Sequence, residues 1–296
     1  MLTWENQNIL LRTSIVLNLA LLISGALEFG SSRANAASTA PRPKSVRLYV
    51  FDCGTIHAKS ADGFSLKKEE VASTEMSVPC FLIAHPKGTM LWDAGLIPDR
   101  PTQSDGGPAR TPDKPLLPQL AAVGYEPADI KYLVLSHYHG DHVANANLFA
   151  GSTWLVRKVE RDLMFSSDQL PRTNPADYKL LKDSKTILID KDDYDVFGDG
   201  SIVIKSTPGH TPGHQSLFLK LKKTGPVVLS GDLYHHPEER SLNRLPVNEF
   251  DVKETAESRS AMDVFLKKVV RSSGFSTISS ATANSRRRLP SMNRRK

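Results

Sequence analysis

The stretch Tyr132-Leu133-Val134-Leu135-Ser136-His137-Tyr138-His139-Gly140-Asp141-His142 decides how this chain is read. Its first four residues are an apolar run of the length of a buried strand. The six that end it hold three imidazoles and a carboxylate. Side chains at a strand exit can converge on one point. Imidazole together with carboxylate suits Zn²⁺ and similar borderline cations. A metal site at the end of a buried strand is therefore the expectation from which the rest is built.

Two later segments carry the same chemistry. Thr207-Pro208-Gly209-His210-Thr211-Pro212-Gly213-His214 follows the strand-like Ile202–Ile204, and its Pro-Gly steps predict tight turns with close backbone approach. Ser230-Gly231-Asp232 follows the strand-like Val227–Leu229. Donors at three strand exits are how a rigid scaffold preorganises a metal site. No Gly-x-Ser-x-Gly elbow is present, so no nucleophilic serine of that type is expected.

Further strands are predicted at Val46–Phe51, Phe81–Ala84, Thr89–Trp92, Thr153–Val156, Thr186–Ile189 and Ser216–Leu221. The pair Phe81–Ala84 and Thr89–Trp92 reads as a hairpin with the four-residue turn His85–Gly88. Helices are predicted at Leu116–Val123, Val143–Phe149, Lys158–Phe165 and Glu254–Val270, the last with Ala261, Val264, Phe265 and Leu266 on its apolar side. Pro98–Pro118 reads as a long loop of the kind that walls a substrate site. Two groups of strands with helices between and after them predict two packed sheets with helices outside.

Residues 1–36 read as an export signal: Arg12, the 13-residue apolar stretch Ile15–Leu27, and the cleavage pattern Ala34-Asn35-Ala36. Thirteen residues fall short of the roughly 20 that a membrane-spanning helix needs, so no stable membrane span is expected and the protein should be periplasmic or secreted. Residues 37–44 read as a linker. The net charge of +6 is matched by six basic residues in the acid-free segment 272–296, which leaves the rest formally neutral. No basic face remains to track nucleic acid. Cys53 and Cys80 are the only cysteines, and pairing and burial as free thiols both stay open.

With these residues in hand, the chain resembles the metallo-β-lactamase fold of hydrolases over roughly residues 45–270. Within it, Phe81–Gly88, Leu91–Gly95, Thr207–His214 and Ser230–Asp232 resemble the N-acyl-homoserine lactonase branch. The resemblance implies an α/β four-layer αββα sandwich and a two-zinc hydrolase that opens the lactone ring of a small-molecule ester or lactone substrate. It implies that His137, His139 and His214 hold one metal, that Asp141 and His142 hold the second, and that Asp232 bridges them. His210 is left to stabilise its turn. Asp141 is implied as a proton shuttle, and Tyr234 as a catalytic candidate near the position where related lactonases carry a tyrosine. That position itself is His235, two further readings being a shifted loop or no such assistance. His57, His85, His235 and His236 are otherwise expected in surface or hydrogen-bonding roles.

The resemblance also implies a final histidine on a strand after the last long helix, but the last histidine here is His236. A frameshift would explain this: an overlapping reading of codons for Ser273–Ser279 yields Leu-Trp-Ile-Gln-His-Asp-Phe. The terminal strand and helix should then be missing or altered, the sheet edge unpaired, and residues 272–296 a basic disordered tail. The second metal should be weakly held and activity low. A β-lactam, phosphotriester or thioester hydrolase, or an inactive product, are the alternatives to a lactonase.

Overall fold

The computed structural model describes residues 40–99, 115–168, 170–273 and, for the backbone alone, 279–281. The expected signal segment 1–36 and the greater part of the long loop at 98–118 lie outside them.

Among the described residues, eleven strands form two sheets. The first holds β1 (Arg47–His57), β2 (Glu75–His85), β3 (Gly88–Trp92), β4 (Tyr132–Val134), β5 (Thr153–Arg157) and β6 (Thr186–Ile189), side by side in that order. In it β2 runs antiparallel to both β1 and β3, and β3 to β6 run parallel to one another. The second holds β7 (Asp193–Asp195), β8 (Ile202–Ser206), β9 (Gln215–Leu221), β10 (Gly225–Leu229) and β11 (Ser279–Ala281). The β2–β3 hairpin pairs His85 with Gly88, so its turn is the two residues Pro86 and Lys87 rather than four. Gly88, at φ 151°, allows that tight reversal.

Strand alternation builds the layers. Phe81, Ile83, Met90, Trp92, Val134 and Leu155 point one way from the first sheet and meet Ile202, Ile204, Leu217, Leu219, Val227 and Leu229 of the second. Their neighbours Leu82, Ala84, Leu91, Leu133 and Trp154 point the other way. These pack on Leu116 and Leu120 of α1 (Leu116–Ala122), Val143 of α2 (Gly140–Val143) and Met164 of α3 (Lys158–Met164). Outside the second sheet, Phe218 and Val228 pack against Met262, Phe265 and Leu266. Those three lie on α5 (Val252–Ser273), the short α4 (Pro237–Ser241) preceding it. The order is helix, sheet, sheet, helix: an αββα sandwich, as expected. Each fully buried aliphatic or aromatic side chain contributes about 1.5–3 kcal/mol to it.

Local chemistry sets the helix starts. Asp251 Oδ1 accepts the N–H groups of Lys253 and Glu254 (2.9 and 3.0 Å) and caps α5. Asp99 does the same for Leu116 and Leu117 of α1. The apolar stripe of α5 is Met262, Phe265, Leu266 and Val269; Ala261 and Val264, expected on it, face solvent. Spacing of three and four residues from Met262 fixes that phase.

Two further expectations change. The edge of β10 is paired, because Ser279–Ala281 runs parallel to Val227–Leu229 as β11. Backbone pairing over three residues needs no apolar pattern, so the serine-rich sequence concealed it. The final histidine was sought near residues 272–277, of which 274–277 lie outside the described residues. Cys53 and Cys80 form a disulfide that staples β1 to β2, which settles the alternative left open by the sequence.

Candidate metal centre

The loop after β4 is pinned at successive backbone groups. Ser136 N–H donates to Asp93 Oδ1 (2.6 Å), Tyr138 N–H to Glu160 Oε1 (2.8 Å) and Gly140 N–H to the Arg172 carbonyl (2.8 Å). His137, His139 and His142 are thereby held with at most 6% of their surface exposed.

Three ring nitrogens meet at one point. His137 Nε2 is 2.8 Å from His139 Nδ1, which is 2.9 Å from His210 Nε2. Asp232 Oδ2 lies 3.7 Å from His137 Nε2 and 3.4 Å from His210 Nε2. Its Oδ1 faces the other way, with His142 Nε2 3.1 Å off, and Asp141 Oδ2 is 3.4 Å from that same nitrogen. Two donor sets, His137/His139/His210/Asp232 and Asp141/His142/Asp232, share the Asp232 carboxylate, and a third grouping, His210/His235/Glu249, shares His210 with the first.

Outer contacts aim the rings. Glu249 Oε1 sits 2.9 Å from His210 Nδ1, and Asp93 Oδ2 sits 3.0 Å from His142 Nδ1. A carboxylate on one ring nitrogen holds the proton there and turns the other lone pair inward, the usual arrangement behind a metal-ligating histidine. Asp232 Oδ1 is buried and takes no hydrogen bond. Convergent imidazole lone pairs beside a buried carboxylate oxygen fit divalent cations of the zinc type.

The charge states agree. Burial, then the neighbouring imidazoles His142 and His139, push His137 well below its ordinary pKa. Burial, then His210, does the same to His139. Neutral imidazole is the ligating form. Burial opposes protonation of His142 as well, but Asp232, Asp141 and Asp93 outweigh it and raise its pKa well above the ordinary value. Burial works against ionised Asp232, yet His142, His235 and His137 hold it well below the usual carboxylate range. A cation in the second set would take the place of the His142 proton.

His214, expected as a ligand, is not part of either donor set. Its Nδ1–H donates to the Thr207 carbonyl (2.8 Å) and its Nε2 accepts the Asp232 N–H (3.0 Å). Both nitrogens are spent on backbone, and burial with His210 nearby brings its pKa down to about 3. It braces the Asp232 backbone, and His210 Nε2 is the nitrogen of this turn that lies in the first donor set. Tyr234, expected as a catalytic candidate, packs its ring with Phe218, Val228 and Met262, with the Arg259 guanidinium 4.5 Å from it.

The neighbour His235 faces the centre instead. Its Nε2 lies 3.3 Å from Asp232 Oδ2, its ring is 4.5 Å from Phe64, and Glu239 Oε2 accepts its backbone N–H. Burial opposes its charge, but Asp232 and Glu239 raise it to about 10. Glu249, Asp93 and Glu160 were missed as partners of the site by sequence reading, because no spacing ties any of them to the histidines they serve. His57 is exposed beside Glu75, and His85 is buried on Asp199, as hydrogen-bonding roles require.

Comparison with known proteins follows the same line. Residues 73–269 match the metallo-beta-lactamase superfamily. The N-acyl homoserine lactonase AttM of Rhizobium radiobacter is 33% identical over 213 residues, covering 67% of this chain and 81% of that one. The N-acyl homoserine lactonase AiiA of Bacillus thuringiensis subsp. kurstaki is 28% identical over 193 residues, 60% of this chain and 71% of that one. A solved quorum-quenching N-acyl homoserine lactone lactonase superposes with a TM-score of 0.65 at 25% identity, over 81% of this chain and 92% of its own. The chain belongs to the metallo-beta-lactamase superfamily and is a hydrolase of that kind.

Proposed function

From that membership we propose that the protein opens the ring of N-acyl-homoserine lactones, using two divalent cations, zinc foremost. The observation that carries the reading is the pair of donor sets sharing Asp232, in a chain with lactonase relatives along most of its domain. Zinc held there would supply hydroxide at neutral pH by lowering the pKa of water to about 7. His137, His139, His210 and Asp232 hold the first cation, and Asp141, His142 and Asp232 the second. Asp141, more open than the other donors, carries the proton to the leaving alkoxide. His235 presents its Nε2 beside Asp232 Oδ2, where it can donate to a substrate carbonyl. Burial of the donors keeps bulk water from competing.

The second set has three protein groups among the described residues, which supports weaker binding of that cation. The disulfide supports an oxidising location, in keeping with the apolar segment Ile15–Leu27; the periplasm or the exterior is proposed.

A hydrolysis panel of N-acyl-homoserine lactones, a β-lactam and a phosphotriester on zinc-loaded protein tests the assignment, with Asp141→Asn as control. Lactone opening that outpaces the others and falls with Asp141→Asn is expected. Preference for another substrate, or turnover indifferent to the substitution, overturns it.

A further inference from the structure

Glu160 lies on α3, in neither donor set, and 2% of its surface is exposed. A carboxylate buried without a cation partner is costly, and no ion pair to Glu160 exists among the described residues. Burial pushes its pKa up to about 7, although hydrogen bonds from Thr211, Gly213 and Tyr138 pull back. An apolar side chain would fill the space at lower cost. Stability alone therefore gives no reason for an acid at this position.

Its contacts give one. Glu160 Oε1 accepts the Tyr138 N–H (2.8 Å) and lies 2.9 Å from Thr211 Oγ1. Oε2 accepts the Gly213 N–H (2.8 Å) and lies 3.0 Å from the same hydroxyl. Tyr138 sits between His137 and His139. Thr211 follows His210, and its carbonyl accepts the N–H groups of Gly209 and His214 (3.1 and 3.2 Å). One side chain thus ties the loop that carries two of the convergent imidazoles to the turn that carries the third. The fit is close: a Cβ on Gly213 would lie 2.5 Å from Glu160 Cβ and 2.8 Å from its Oε2. On the opposite side a Cβ on Gly209 would lie 2.2 Å from the Thr255 nitrogen. The turn is held between α3 and α5.

We propose that Glu160 is a positioning residue: a clamp between the two ligand-bearing loops that sets the spacing of His139 and His210 and so the affinity and geometry of the first cation site. The idea rests on the first donor set being a metal site. Neither oxygen of Glu160 can be given up without cost. Glutamine keeps one acceptor but turns an NH₂ towards an N–H donor, so one loop is released.

The experiment measures zinc affinity by chelator competition, and the visible absorption of the cobalt-substituted protein, for the full chain and for Glu160→Gln, Thr211→Val and Thr211→Ser. Zinc affinity is expected to fall about tenfold in Glu160→Gln, the low end of losses for groups behind the ligands, with a shifted cobalt spectrum. Thr211→Val should fall several-fold, and Thr211→Ser, which keeps the hydroxyl, should return to the parent value. If Glu160→Gln does not fold, the Val and Ser pair at Thr211 decides alone. A lower melting temperature with unchanged affinity and spectrum overturns the clamp. A parent protein that holds no zinc overturns the metal reading itself, a separate result.

Discussion

The tetrapeptide Thr-Pro-Gly-His occurs twice in succession, as Thr207–His210 and Thr211–His214, and the two histidines do different work. His210 has one nitrogen on the Glu249 carboxylate and the other facing His139 and Asp232. His214 has one nitrogen on the Thr207 carbonyl and the other on the Asp232 N–H. The first ring turns a lone pair towards the candidate metal centre; the second holds the Asp232 backbone. What separates them is the partner each finds: a carboxylate from a distant loop leaves a lone pair free, while local backbone uses both nitrogens.

The strongest test of this contrast exchanges the losses. His210→Ala should weaken the first zinc by more than the roughly 100-fold that marks losses behind the ligands, with the fold retained. His214→Ala should strand a buried carbonyl and a buried N–H and cost about 2–3 kcal/mol of stability, with a smaller effect on zinc. Denaturant melts and chelator competition on both variants read this directly; the reverse pattern breaks the contrast.

The repeat also marks the limit of what the sequence discloses. The cluster His137–His142 and the acid Asp232 were legible, because an apolar strand followed by dense donors constrains their placement. So were the layers, since alternation along β2, β3, β8 and β9 assigns each side chain to a face. The carboxylate contact of His210 was not, because identical tetrapeptides carry no information on which ring meets Glu249, 39 residues beyond His210. Tyr234 and His235 differ for a similar reason: adjacent residues point to opposite sides, and only the turn after Asp232 decides which faces the donors. β7 escaped notice because Asp193-Tyr194-Asp195 has no apolar run.

The partner carboxylate offers the next test. Glu249→Ala frees the His210 ring to adopt either tautomer and should cost roughly 10- to 100-fold in zinc affinity. The same measurement on His214→Ala should give a smaller loss if the two turns differ as described.

A pH series sharpens the comparison from the side of α3. Burial pushes the Glu160 carboxyl up to about 7 in the folded protein from an ordinary 4.5. The folded state therefore holds that proton more tightly, and its contribution to stability is full below about pH 4.5 and lost as pH rises through 7. The difference in unfolding free energy between the parent and Glu160→Gln should change by up to about 3 kcal/mol across that window. Curves that stay parallel would contradict it.

The smallest effect belongs to Tyr234→Phe. The ring packs against the helix side of the second sheet, so kcat/KM for lactone opening should change less than about twofold, within the ±0.5 kcal/mol of a neutral substitution. A large loss of kcat would return Tyr234 to the reaction.

The most direct test of the whole account is anomalous diffraction at the zinc edge from zinc-soaked crystals. It should place one strong peak at bonding distance, about 2.0–2.2 Å, from His137, His139, His210 and Asp232. A weaker peak is expected at Asp141, His142 and Asp232. A peak ligated by His214, or none among the first four residues, would contradict it.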